Sequence, residues 1–101
     1  MKLPNKITIC GKCWSIKKDP KTSGGWFDGS KSTISIGTKY KSEIPTIFLH
    51  EVIEATMTER LVRYRTYGDD TNNDGLRFVM THKEYENICM DLAQSLRGIR
   101  I

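Results

Sequence analysis

The sequence predicts one α+β domain over residues 1–101: a small antiparallel β-meander, a central helix, a β-hairpin and a C-terminal helix. Three observations support this. Short runs in which apolar and polar residues alternate occupy the N-terminal part of the chain. The stretch "TIFLHEVIEATM" is the most apolar in the chain, and it begins at residue 46. A helical spacing of apolar residues then recurs near the C-terminus.

The N-terminal strands are predicted around a tight turn. "KITIC" and "CWSIK" lie on either side of Gly11 and Lys12, which we expect to form a two-residue hairpin loop. "STISIG" predicts a further strand, and the "DPKTSGGWFDGS" segment before it is dense in turn formers. Trp14, Trp26 and Phe27 are expected in the core of the meander.

Two helices and a hairpin follow. Ser42 is placed to cap a helix over about residues 43–60. "RLVRYRTY" and "LRFVM" flank "GDDTNND", which predicts a hairpin with a polar tip. Thr81 and Glu84 have the spacing of a capping box at the start of the last helix, and Gly98 is a stop signal at its end.

The apolar central helix carries three ionisable residues: His50, Glu51 and Glu54. Residues i and i+4 lie on one helix face, so all three fit within an arc of about 100°. "HEVIE" matches the H-E-x-x-H zinc motif except that Glu54 replaces the second histidine, and a carboxylate is also a zinc ligand. The pattern predicts His50 and Glu54 as metal ligands and Glu51 as the general base that activates a metal-bound water.

His82 is the other histidine of the chain and the predicted third ligand. It begins the last helix on its apolar face, so we expect it to point towards the central helix. His50, Glu54 and His82 would hold one Zn²⁺, although such a set can also bind Fe²⁺, Mn²⁺ or Ni²⁺. Glu86, one turn further along the same face, is the alternative third ligand.

Residues 33–97, from "TISIG" through "TIFLHEVIEAT" to "HKEYENICMDLAQSL", resemble the small, often phage-encoded minimal zincin metallopeptidases, which are distantly related to the ImmA/IrrE- and SprT-like groups. The resemblance implies a zinc-dependent peptidase with the ligands and the general base at the positions just named. Glu54 departs from the peptidase motif, so the resemblance implies metal binding more directly than proteolysis. It also implies that an extended peptide or protein substrate pairs with strand 33–36.

The charge of the chain is unevenly distributed. Residues 1–41 contain nine lysines against two aspartates, a net charge of +7, whereas residues 42–101 have a net charge of −3. The alternative function is therefore a non-catalytic, phage-type regulatory protein whose basic half binds nucleic acid or a host protein. No apolar run is long enough to span a membrane and no secretory signal is recognised, so we expect a cytoplasmic location, the host cytoplasm if the protein is phage-encoded.

Overall fold

A four-stranded sheet and two helices make up the core of the domain in a computed structural model, which describes residues 1–65 and 76–100. The elements in chain order are β1 (Lys6–Ile9), β2 (Lys12–Asp19), β3 (Gly25–Asp28), β4 (Thr33–Gly37), α1 (Ile44–Glu59), β5 (Arg63–Arg65), β6 (Leu76–Phe78) and α2 (His82–Ser95). The predicted α+β class is confirmed. Among the described residues, neither helix is long and apolar enough to cross a membrane.

The sheet is mixed, with the strand order β1-β2-β4-β3. The segment expected to be a turn supplies an additional strand, β3, at the edge of the sheet. β4 then runs back between β3 and β2, antiparallel to the first and parallel to the second. The antiparallel pairing predicted for the whole meander therefore holds for β1–β2 and β3–β4, and the β2–β4 pair departs from it.

The first hairpin turns at Cys10 and Gly11, one residue earlier than predicted. Both residues have positive φ (50° and 79°), as a type I′ loop requires. The shift slips the strands by two residues relative to the predicted register, so the same side chains face the core. Ile7 lies opposite Trp14, and both are buried.

Helix α1 packs a stripe of buried residues against the sheet. Phe48, Val52 and Ala55 are fully buried and belong to the same cluster as the sheet residues Ile34 and Ile36. Their spacing places them on one helix face. Because this stripe packs on the sheet, the residues on the other faces of α1 can contact solvent or a ligand.

Of the two helix starts predicted from capping residues, that of α2 agrees with the structure and that of α1 does not. A 3₁₀ turn (Lys41–Glu43) precedes α1, and Ser42 lies inside it and does not cap the helix. At α2, the Thr81 hydroxyl accepts a hydrogen bond from the Glu84 backbone N–H, and the Glu84 carboxylate accepts one from the Thr81 N–H. The predicted capping box is therefore confirmed.

The second hairpin is present where the sequence predicts it, because β5 and β6 pair antiparallel. Arg63 lies opposite Phe78 in this pairing. The polar tip predicted at "GDDTNND" lies outside the described residues. The hairpin connects α1 to α2.

Asp91 ties three parts of the fold together. Its carboxylate accepts a hydrogen bond from Arg60 Nε at 2.6 Å, just beyond the end of α1, and one from the Cys10 thiol at 3.4 Å, in the first hairpin. The hydrogen bond from Arg60 holds the pKa of Asp91 below its ordinary value. Burial raises the pKa of the Cys10 thiol to about 11, with the contact to Asp91 adding to the effect.

We expect Asp91→Asn to lower the free energy of unfolding by about 1 kcal/mol at pH 7. The folded-state pKa of Asp91 is depressed, so its contribution is fully present above the ordinary carboxyl pKa and is lost as the pH falls through the lowered folded-state pKa. Urea unfolding at pH 7 and at about pH 2.5 should therefore show a gap between the two proteins that is smaller in acid. Arg60→Gln should reproduce the loss, and the double variant should lose no more than either single variant. A gap of the same size at both pH values would contradict the assignment.

Candidate metal centre

Helix α1 brings three potential ligand groups together. His50 Nε2 lies 3.4 Å from Glu54 Oε2 and 3.8 Å from Glu51 Oε2. One ligand atom from each residue can be chosen so that all three lie within 4.8 Å of one another. The three residues that the sequence placed in one helical arc therefore also converge in space.

The three side chains differ in exposure because of their positions around the helix. Glu51 lies in the buried stripe, three residues after Phe48 and one before Val52, and the residue is only 5% exposed. The Glu54 side chain is 21% exposed and that of His50 is 61% exposed. The group thus has a buried carboxylate at its base and a solvent-accessible imidazole at its rim.

Burial has an electrostatic consequence for Glu51. Removal from water disfavours the ionised carboxylate and raises the pKa of Glu51, and the Glu54 carboxylate acts in the same direction. The positive charges of His50 and Arg63 oppose the rise. A carboxylate with a raised pKa and little hydration is a better proton acceptor than an exposed one.

The spacing of these groups fits a divalent cation. In a tetrahedral zinc site with ligand bonds of about 2.1 Å, neighbouring ligand atoms lie about 3.4 Å apart. The distance between His50 Nε2 and Glu54 Oε2 has this value, and the distance to Glu51 Oε2 is close to it. Imidazole nitrogen and carboxylate oxygen are also the donor types that zinc and the neighbouring divalent metals accept.

His82 does not join this group. Its side chain is 83% exposed, and its Nδ1 lies 3.2 Å from a carboxylate oxygen of Glu86, the alternative third ligand, which also lies outside the group. The expected direction towards the core is not found, since α2 contacts the core through Ile88 and later residues. The buried face of α2 contains Ile88, Leu92 and Ser95, whereas Cys89, which shares the face of His82, is exposed. The predicted face is therefore rotated away from the one that packs, and His82 lies outside the packed face.

A cleft of about 460 Å³ opens beside the three groups. It is lined by His50, Glu51 and Glu54 from α1, and by residues of β3, β5 and β6: Gly25, Trp26, Phe27, Arg63 and Phe78. A second space of about 330 Å³ lies along Gly24, Thr46 and Ile47, and it shares Gly25, His50 and Glu51 with the first. The candidate metal centre therefore lies between two stretches of one groove.

The cleft contains residues whose role the sequence did not predict. Trp26 was expected in the core, yet it is 50% exposed, whereas Trp14 is fully buried as predicted. Arg63, which the sequence placed in the second hairpin, lines the same cleft as His50, Glu51 and Glu54 (the metal group). The glycines of "GGWFDG" were the sequence signal that could have indicated this cleft, because glycine allows an edge strand to approach a helix closely.

The strand beside the groove is β3 and not strand 33–36. β4, which contains residues 33–36, has β2 on one side and β3 on the other, so its backbone has no edge left for a substrate. The assignment of substrate pairing to strand 33–36 is therefore wrong. β3 ends the four-stranded sheet, and in the described part of the chain no strand pairs with its outer edge.

Gly25 allows β3 to lie against α1 at the candidate centre. A Cβ at this position would come within 2.9 Å of both Ile47 Cγ2 and the Ser35 carbonyl oxygen, and within 3.0 Å of Glu51 Cγ. Contacts this short require the strand or the helix to move. Glu51 can therefore occupy its position only because residue 25 has no side chain.

We expect Gly25→Ala to lower the free energy of unfolding by about 2 kcal/mol because of this overpacking. Gly29→Ala is the matched control, since a Cβ there meets no atom within 4 Å. Chemical denaturation of both variants measures the difference. Equal stability of the two variants would show that β3 and α1 do not approach each other as described.

Comparison of the chain with protein-family models, with curated proteins and with solved structures finds no match in any of the three. The chemistry of the groove itself is therefore the basis for a function.

Proposed function

We propose that this domain is a metal-dependent hydrolase whose centre is formed by His50, Glu51 and Glu54, with a peptide bond as the substrate bond. The observation that carries the proposal is the spacing of 3.4 Å and 3.8 Å from His50 Nε2 to the two carboxylates. His50 and Glu54 would hold the metal, Zn²⁺ in the first place, with Fe²⁺, Mn²⁺ and Ni²⁺ as chemically related alternatives. When bound, such an ion polarises a carbonyl group and lowers the pKa of a bound water.

The residues of the chain supply the proton transfer. Glu51, buried and with a raised pKa, would accept the proton of the attacking water and pass it to the leaving nitrogen. The carbon–nitrogen bond breaks, the hydroxyl remains on the acyl carbon, and the proton joins the amine. The side chain of His82, the third ligand predicted from the sequence, lies outside this group. Binding of a metal by His82 therefore stays a prediction.

An extended peptide suits the groove. β3 offers an unpaired edge among the described residues, and the two spaces on either side of the centre follow this strand from Gly24 to Phe27. Main-chain hydrogen bonds to such an edge would align the peptide along the centre. This supports a peptide or protein substrate, bound beside β3.

Metal content tests the proposal directly. We expect protein purified without a polyhistidine tag to contain about one divalent ion per chain, as measured by elemental analysis. His50→Ala should abolish binding and Glu54→Gln should weaken it at least about tenfold, because each removes one ligand. His82→Ala and Glu86→Gln measure the third position: loss of metal in either variant identifies that residue as a ligand, and normal binding in both restricts the site to α1.

The role of Glu51 needs a separate measurement. We expect Glu51→Gln to retain metal and fold while hydrolysis of a peptide mixture falls by at least about 100-fold, because the amide cannot accept the proton. Mass spectrometry of the products and elemental analysis of the same sample give both quantities. Loss of metal in this variant would make Glu51 a ligand and not a base.

The alternative class remains a non-catalytic regulatory protein whose basic half binds nucleic acid or a host protein. The nine lysines of residues 1–41 are all exposed, which such binding requires and which an ordinary soluble surface also provides. A well-folded wild-type protein that takes up no metal would favour this class over the hydrolase.

A further inference from the structure

Arg63 places a positive charge in the cleft beside the metal group. Its guanidinium carbon lies 5.4 Å from the centre of the Phe27 ring, a cation–π contact that holds the group against the cleft wall. Within residues 1–65 and 76–100, no carboxylate oxygen lies within 4.0 Å of this guanidinium. Among the described residues, Arg63 thus interacts with Glu51 only over a longer distance and forms no close ion pair that an anionic ligand would have to displace.

Towards the residues that the structure describes, Arg63 also uses little of its hydrogen-bonding capacity. Its Nη1 donates to Thr58 Oγ1 across 3.5 Å, the outer limit for a hydrogen bond. Its Nε is buried and has no acceptor among the residues that the structure describes. A buried donor without an acceptor costs free energy, which a ligand with two oxygens would recover through a small shift of the side chain. The planar guanidinium matches a carboxylate in this way.

The rest of the cleft wall is aromatic. Trp26 and Phe78 are both partly exposed and line the same space as Arg63. Where an exposed aromatic ring lies next to a cation, the ring can contact an apolar side chain and the cation can bind a negative charge. A residue at the end of a peptide chain combines these two features.

We propose that Arg63 binds the free α-carboxylate of a peptide, and that Trp26 and Phe78 receive an apolar or aromatic side chain of its last residue. The inference rests on the proposed function for its chemistry, and it narrows the substrate class to peptides cleaved at their C-terminal bond. Water is consumed in that reaction: the last carbon–nitrogen bond breaks, the hydroxyl joins the acyl carbon and the proton joins the released amino acid. The remaining chain extends along Gly24 and Ile47, on the far side of the centre.

Binding of two small probes tests the carboxylate subsite. N-acetyl-L-phenylalanine carries the carboxylate, and N-acetyl-L-phenylalanine amide is its neutral match. Trp26 reports on the cleft, since the second tryptophan, Trp14, is fully buried. Titrations followed by tryptophan fluorescence, with zinc-loaded and metal-stripped protein, should show that the acid binds at least about tenfold more tightly than the amide.

Arg63→Gln should abolish this preference, and Arg63→Lys, which keeps the charge but loses the planar fork, should retain only part of it. Arg97→Gln is the matched control, because Arg97 is exposed and does not line the cleft. An unchanged preference in both Arg63 variants would overturn the proposal. So would a preference that persists in zinc-loaded Arg63→Gln and disappears in His50→Ala, since the metal would then be holding the carboxylate.

Failure of the proposed function gives a different result. If the wild-type protein binds no metal but keeps a preference for the acid that depends on Arg63, the hydrolase is wrong and the carboxylate subsite stands. If metal binds and peptides are cleaved equally with free and amidated C-termini, the hydrolase stands and the C-terminal specificity is wrong.

Discussion

The burial of Glu51 is the constraint on which the groove depends. A carboxylate inside the apolar stripe of α1 loses hydration that a surface residue would keep, and ionisation there requires neighbouring positive charge. His50 on the same helix and Arg63 on β5 both supply positive charge when protonated, and both oppose the rise in pKa that burial causes. The arrangement of these three residues links the first half of the fold to the second hairpin.

The same constraint explains why β3 carries a glycine at its start. A strand that covers a buried carboxylate must approach the helix closely, and at Gly25 there is no room for a Cβ between Ile47, the Ser35 carbonyl and Glu51. Among the described residues, this strand also ends the four-stranded sheet and lines the cleft. One small residue therefore allows both the burial of Glu51 and the position of β3 beside the cleft.

The polar groups of the groove lie on two different elements. The three candidate metal-binding residues lie on α1, where helical geometry sets the spacing between them, whereas Arg63 lies on β5 and contacts Phe27 and Thr58. Rigid elements thus fix both ends of the cleft. The ion pair between Asp91 and Arg60 holds the end of α1 against α2, so the helix that carries His50, Glu51 and Glu54 is anchored away from these residues.

The sequence by itself determined the features that depend on neighbours along the chain. It gave the order of the elements except β3, the capping box at Thr81 and Glu84, and the convergence of His50, Glu51 and Glu54, because helical periodicity fixes the angles between nearby residues. Only the tertiary structure decided which edge of the sheet is open, how deeply Glu51 is buried, and that Arg63 and Trp26 line the cleft. The position of His82 shows the physical reason: the angle between two residues around a helix axis is local, but which face of the helix packs on the core depends on contacts between residues far apart in the chain.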